Sequence, residues 1–411
     1  WKSDSSYAMR CAKGHVKIRK LQTIHVASII VQGNNYSNKP YIIKNPTTAS
    51  LKRGTGGRSS FNGLVCTVFG NTGMVGRYLC NRLGKIGTQL ILPHRSDFYF
   101  SRRLKLCGDL GQVLFHPFDL RDEESIYKCL KYSNVVINLI GKDWPTKNFS
   151  YNDVHVEGAR QIAKIAKKAG VERLIHFSSL NASPNPKPLV LKKGSQFLKS
   201  KWEGECAVKE EFPEATIIRP SIIYGSEDKF FSFYSSKWNQ FMLYVDPVLW
   251  KKGEQTEKQP VHGSDVAAGV VAIILDNNTA GKTYQFVGPR RYKLRSLVEW
   301  IQRSITEEWE KAGSKILDLD KNPFFQWKVT LNEAIGNTNR INNLHWEGIE
   351  KDSTSDVVLK DLPTLEDLGI EFAVLEELGA WDLKLYHRQS YYDKTLEEYY
   401  KTISPPEYIA I

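Results

Sequence analysis

The chain has no window of about 18 consecutive apolar residues, so nothing in it reads as a bilayer-spanning helix, and any membrane association is expected to be peripheral. It also lacks paired cysteines. Its six (Cys11, Cys66, Cys80, Cys107, Cys129 and Cys206) are scattered with no CxxC spacing, which points to free thiols in a reducing compartment rather than a disulfide framework or a zinc site. No metal site is expected. Acid is nearly missing from residues 1–60, where Asp4 stands against eleven Lys/Arg for a local charge of +10. Of the total of +12 this leaves only +2 on the remaining 351 residues, a nearly neutral body without the electrostatic footprint of a nucleic-acid binder. Tyrosine, finally, does not occur between Tyr151 and Tyr224.

The acid-poor N-terminus is rich in Ser, Thr, Asn and Lys/Arg, and VKIRKLQTIHVASII has the makings of an amphipathic basic helix. Residues 1–59 are therefore expected to be a mitochondrial transit peptide and flexible segment, the alternative being a disordered basic tail. The chain opens on Trp1 rather than Met, which leaves its true start open.

From residue 63 a regular alternation begins. GLVCTVFG (63–70), TQLILPHR (88–95), VLFHPFD (113–119), NVVINLIG (134–141), VERLIHFSSL (171–180) and ATIIRPSIIYG (215–225) read as apolar strands. Helical spacing marks 71–87, closed by Gly84 and Gly87, then 122–132, 151–170, the stretch from 195, and 294–313. Strands alternating with helices give βαβ units. The expected fold is α/β, a Rossmann-type doubly wound parallel sheet over 60–290. Residues 291–411 form a smaller, mixed helical and irregular region for docking, with tyrosines at 386, 391, 392, 399, 400 and 408. SPNPKP (183–188) reads as a surface loop beside the site.

Gly70, Gly73 and Gly76 stand at the first strand-to-helix junction, enclosing Asn71, Thr72, Met74 and Val75 and followed by Arg77. Glycines there permit the tight turn and bring backbone N–H groups up to a pyrophosphate at a helix N-terminus. A merely tight turn is the plainer alternative. At the end of the second strand, where an acid would accept from a ribose 2′-hydroxyl, the chain has His94 and Arg95. A guanidinium there suits a 2′-phosphate, hence NADP(H), with Arg77 assisting; otherwise Arg95 is a surface residue paired with Asp97. Asp119 is placed for an adenine amino group, and Gly141 lets the backbone pass a ribose; otherwise both are ordinary strand-end residues. Leu120, Leu139, Ile140, Pro220 and Ile223 complete the candidate nucleotide-binding set.

Together these residues resemble the short-chain dehydrogenase/reductase superfamily in its extended, atypical branch, a likeness that continues through RPSIIYG (219–225), KQPVHGSDVAAGV (258–270) and YQFVGP (284–289). A narrower likeness rests on RGTGGRSS (53–60), the VFGNTG loop, VVINLIGKDWPTKNF (135–149), FPEATIIRP (212–220) and LPTLEDLGI (362–370). These are similar to the dehydrogenase-like accessory subunits of mitochondrial respiratory complex I. That resemblance implies a bound NADPH with a structural role and other subunits of complex I as partners. It also implies a peripheral place on the matrix side of the inner membrane, where the matrix arm meets the membrane arm, and no dedicated substrate beyond the nucleotide.

In the superfamily a tyrosine stands four residues before a lysine on one helix face, and its hydroxyl protonates the substrate carbonyl beside the lysine ammonium. Here SQFLKSKWEGE (195–205) keeps Lys201, Ser178 or Ser179 fits the substrate-orienting serine, and position 197 is Phe. With no tyrosine nearby to substitute, the site is degenerate and the chain is expected not to catalyse. Loss of a positioned general acid typically costs about 10²–10⁴-fold. Two alternatives stand beside this reading: an atypical NADPH-dependent reductase using Lys201 alone, and a cytosolic NADP(H)-sensing regulator.

Overall fold

The computed structural model describes residues 52–54, 56–236, 247–305, 316–335, 344–386 and 404–409, which fall within a unit spanning Asn45–Ile411. The expected transit segment up to residue 51, residues 306–313 of the last expected helix, and Tyr391, Tyr392, Tyr399 and Tyr400 lie outside them.

Seven strands form one parallel sheet: β1 (Val65–Phe69), β2 (Gln89–His94), β3 (Val113–Pro117), β4 (Val135–Asn138), β5 (Arg173–Phe177), β6 (Thr216–Pro220) and β7 (Thr283–Phe286). Their order is β3-β2-β1-β4-β5-β6-β7. Chain direction across the sheet reverses between β1 and β4, so a crevice opens beyond the carboxyl ends of those two strands. The central strands are apolar throughout because helices cover both faces. On one face α1 (Met74–Lys85) packs with α7 (Gly263–Leu275), joining Leu79 and Leu83 to Val266, Val270 and Ile273. On the other, α3 (Glu123–Leu130), α4 (Gly158–Ala169) and α5 (Gln196–Glu211) bury Ile126, Leu130, Ile162, Ala166, Val208 and Phe212.

Two sequence expectations need correction. Gly84 does not close α1 but lies inside it: a Cβ there would approach the Cys107 carbonyl oxygen to 2.0 Å, so the glycine serves close packing. Gly87, at φ +76°, does turn the chain. The alternation also continues to a seventh strand, β7, which runs into the stretch YQFVGP.

Three further helices, α6 (Lys229–Ser235), α8 (Leu294–Ile305) and α11 (Leu375–Leu383), build a separate apolar core around Phe231, Trp300, Ile301 and Leu383. Two more, α9 (Pro323–Ile335) and α10 (Trp346–Ser353), adjoin a smaller cluster of Phe325, Val329 and Leu344, which shares Phe233 with that core. Helix α10 packs directly on α5, the helix that carries Phe197 and Lys201. The short helix α2 (Phe98–Ser101) and the 3₁₀ turn Arg102–Cys107 lie between β2 and β3.

Candidate functional site

The crevice at the strand ends is a cleft of about 430 Å³. Its floor is the glycine loop. Gly70 adopts φ +79°, and a Cβ there would sit 3.0 Å from the Leu139 carbonyl carbon and oxygen. A Cβ on Gly76 would lie 2.6 Å from the Gly70 and Asn71 carbonyl oxygens, so side chains are excluded where the loop turns into α1. Gly73 caps α1 without a side-chain hydrogen bond, and the first turn holds no acid. Its amide groups are thus left for an anion, where the helix dipole favours one.

The cleft brings together Gly70, Gly73, Met74, Val75, Gly76, Leu139, Gly141, Ser178, Ser179, Phe197, Lys201, Pro220 and Ile223 from the sequence-derived set. The other members lie around it. Asn71 is buried, and its Nδ2 donates to the Val68 and Pro93 carbonyls (3.1 and 2.7 Å), tying β1 to β2. Its Oδ1 finds no hydrogen-bond partner among the described residues. Thr72 is exposed. Arg77 pairs with Glu227 at 2.6 Å. Arg95 is exposed at the end of β2, and the Asp97 carboxylate accepts from the Tyr99 amide instead of pairing with it. Asp119 accepts from the Arg121 amide (2.9 Å). Leu120 packs beneath Gly158, and Ile140 joins the core on the second face.

At the far end stands the helix pair. Ser195 caps α5, so Phe197 and Lys201 share one face, both nearly buried. Lys201 Nζ donates to the Phe177 carbonyl (3.1 Å) and lies 5.9 Å from the centre of the Phe197 ring. Gly141 makes room for it, since a Cβ there would meet Nζ at 3.1 Å. Burial pulls the Lys201 ammonium down to about 8, although Asp143 favours its charged form. Ser178 Oγ, also buried, has no partner among the described residues, whereas Ser179 is half-buried.

Several residues of this site carried no local signal in the sequence. His155 takes the Lys142 amide at Nε2 (3.0 Å) and contacts Ser200 Oγ through Nδ1 (2.8 Å). Ser200 gives its single proton to the Phe197 carbonyl, so His155 Nδ1 is the donor of that pair. Burial, with the Lys201 ammonium near, pushes His155 down to about 2 and keeps it neutral. Asp143 receives the Lys229 and Lys351 ammonium groups. Burial would raise its carboxyl, but Lys351 and Lys229 together hold it well below the usual carboxylate range. The Lys351 ammonium also lies 4.7 Å over the Phe197 ring. Tyr151, its ring 6.3 Å from that of Phe197, stacks on His155 and commits its hydroxyl proton to the Asp143 carbonyl (2.7 Å).

Helix α10 also lines the cleft, through Glu347, Gly348 and Lys351. Glu347 accepts from Ser195 Oγ (2.5 Å) and the Phe197 amide (2.8 Å), so it caps the start of α5 from 150 residues away. Glu350, fully buried, accepts from the consecutive amides of Leu189, Val190 and Leu191 at 2.9, 2.6 and 2.9 Å. Asp356 accepts from the Gln259 amide and from Asn181, and pairs with buried Lys258.

A glycine cradle at the switch point of a parallel sheet defines a nucleotide-binding class, and the comparisons specify it. Residues 66–287 match the model of the NAD dependent epimerase/dehydratase family, and the chain belongs to that family. Within it, the chain is 40% identical over 359 residues to the NADH dehydrogenase (ubiquinone) 1 alpha subcomplex subunit 9, mitochondrial, of Mus musculus, covering 85% of this chain and 88% of that one. To the NADH-ubiquinone oxidoreductase 40 kDa subunit, mitochondrial, of Neurospora crassa it is 37% identical over 352 residues, with 84% and 86% covered. Among solved structures, the dTDP-glucose 4,6-dehydratase of Streptomyces venezuelae, with NAD and TYD bound, covers 80% of this chain and 98% of its own at 15% identity and a TM-score of 0.57. That likeness concerns the fold.

Proposed function

We propose that the chain is a non-catalytic subunit of mitochondrial complex I that holds NADPH for structure and sits peripherally on the matrix side of the inner membrane. The observation that carries the non-catalytic part is the pairing of Phe197 with Lys201 in the cleft: the lysine that would steady a cofactor is present, and the hydroxyl that would give a proton is not. The kinship with mitochondrial NADH dehydrogenase subunits supports the place in the complex. The glycine cradle fits a pyrophosphate, and the exposed Arg95 guanidinium at the end of β2 fits a 2′-phosphate.

When bound, the nucleotide would supply a hydride donor that this site leaves idle. The chain's own residues would hold it: the amides of α1 toward the phosphates, Gly141 and Lys201 toward the second ribose. Helix α10, anchored by Glu347 and Glu350, adds Glu347, Gly348 and Lys351 to the lining of the cleft beside Phe197. The account is tested by native-gel fractionation of mitochondria. The full chain is expected to run with the large respiratory complex, and migration solely as a free monomer would refute the assignment.

A second reading has one observation in its favour. With its ammonium pulled down to about 8, Lys201 is a stronger acid than a free lysine yet still largely protonated near neutral pH, as a lysine-only reductase that delivers a proton to a carbonyl would require. NADPH oxidation by carbonyl compounds that Lys201→Ala abolishes would establish it.

A further inference from the structure

The segment between β2 and β3 lies outside the cleft and gives only Leu104 to the core. Along FYFSRRLKLCGDL (98–110), Phe98, Tyr99, Phe100, Leu106 and Leu110 are 46, 59, 58, 79 and 93% exposed. Large apolar side chains gathered at this density on a surface mark a contact site. Between them stand Arg102, Arg103 and Lys105, all exposed, with Arg102 lying 4.0 Å over the Tyr99 ring. Helix α1, which packs against this segment, adds exposed Arg82 and Lys85 and contains no acid. The acids at its ends are engaged locally: Asp97 caps α2 through the Tyr99 amide, and Asp109 accepts from the Leu110 amide.

We infer that this segment is a docking surface for an anionic phospholipid bilayer. Aromatic and leucine side chains mixed with cations alone suit the boundary between headgroups and acyl chains, where apolar tips insert and Arg and Lys stems reach back to phosphate. The backbone agrees. It is helical from Phe98 to Cys107, and Arg58 occupies the Leu106 carbonyl, so few polar groups would be stranded on leaving water. Leu104 and Ser101 are buried beneath and anchor the segment to the body. Among the described residues no helix is long and apolar enough to cross a membrane, so a surface of this kind would give attachment without a spanning helix. The inference rests on the peripheral-membrane part of the proposed function, but it is tested without the respiratory complex, so either can fail alone.

The test is flotation of the full chain with phosphatidylcholine vesicles, with and without phosphatidylglycerol. Because residues 1–60 are themselves basic, two variants carry the result: Arg102→Gln/Arg103→Gln/Lys105→Gln, and Leu106→Ser/Leu110→Ser. All five positions are exposed, so the fold should survive. Wild type is expected to float with the anionic vesicles only. The charge variant should lose about a hundredfold in partitioning at low salt, and the leucine variant about tenfold. If both variants float as wild type does, the basic N-terminus is the attachment and the inference falls. It falls equally if neither changes in flotation while both lose their place in the respiratory complex, which would make the segment a contact for a protein partner.

Discussion

Glu350 offers the sharpest test of how the C-terminal region is bound to the sheet. Its carboxylate is fully buried and accepts three consecutive amides, Leu189, Val190 and Leu191, which places the end of the SPNPKP loop against α10. Glu350→Gln preserves the shape but turns an NH₂ group toward donors. At least one amide then loses its partner, at about 1–3 kcal/mol, and the remaining bonds lose the charge that roughly doubles their strength. A total of about 3 kcal/mol corresponds to about a hundredfold rise in the open population of this region. Lys192 and Lys193, exposed just beyond the held amides, supply the readout. Limited trypsin digestion under conditions of fast reclosing should cleave the variant there about a hundredfold faster than wild type. Equal cleavage rates at these lysines would refute the reasoning, because the three bonds would then contribute nothing to holding the loop.

Further outcomes follow from the same geometry. Gly76→Ala puts a Cβ 2.6 Å from two backbone carbonyl oxygens that cannot swing away, so the loop must shift; the variant is expected to lose bound nucleotide and to melt several degrees lower, read by thermal shift with and without added NADPH. His155 titrates near 6.5 when unfolded and at about 2 when folded, so the unfolded chain binds the extra proton between those values. Its contribution is fully present above pH 6.5 and is lost as pH falls, by up to about 1.4 kcal/mol per pH unit, and His155→Gln should flatten the acid limb of a urea-denaturation series by that slope. Lys201 has the same sign in another window. With its folded value near 8 against 10.5, the cost of burying its charge is complete below pH 8 and is relieved as pH rises toward 10.5, a rise in stability that Lys201→Met should remove.

What was legible in the sequence is what is local. Gly70, Gly73 and Gly76 announce a cradle because three glycines at a strand-to-helix junction have few other uses, and Phe197 and Lys201 are read together because four residues make one helical turn. Gly84 was misread for the complementary reason: a glycine that ends a helix and one that lets a loop approach look alike until Cys107 is in place. Strand β7 escaped notice because its four residues, TYQF, lack the continuous apolar run that marks the equally short β4, VVIN. The charged groups around Phe197 were invisible for want of any local signal. Lys351 reaches Asp143 across 208 residues, and Glu347 reaches the Phe197 amide across 150. Such contacts are set by how α10 packs on α5, which no window of sequence contains.

The central claim is that the cleft holds NADPH and leaves it unreacted. It is tested most directly by isolating the chain within its native complex, letting the complex turn over, then denaturing it and identifying the released nucleotide by mass spectrometry. The account predicts close to one NADPH per chain, the same before and after turnover. Release of NAD(H) in that amount, or NADPH converted to NADP⁺ during turnover, would contradict it.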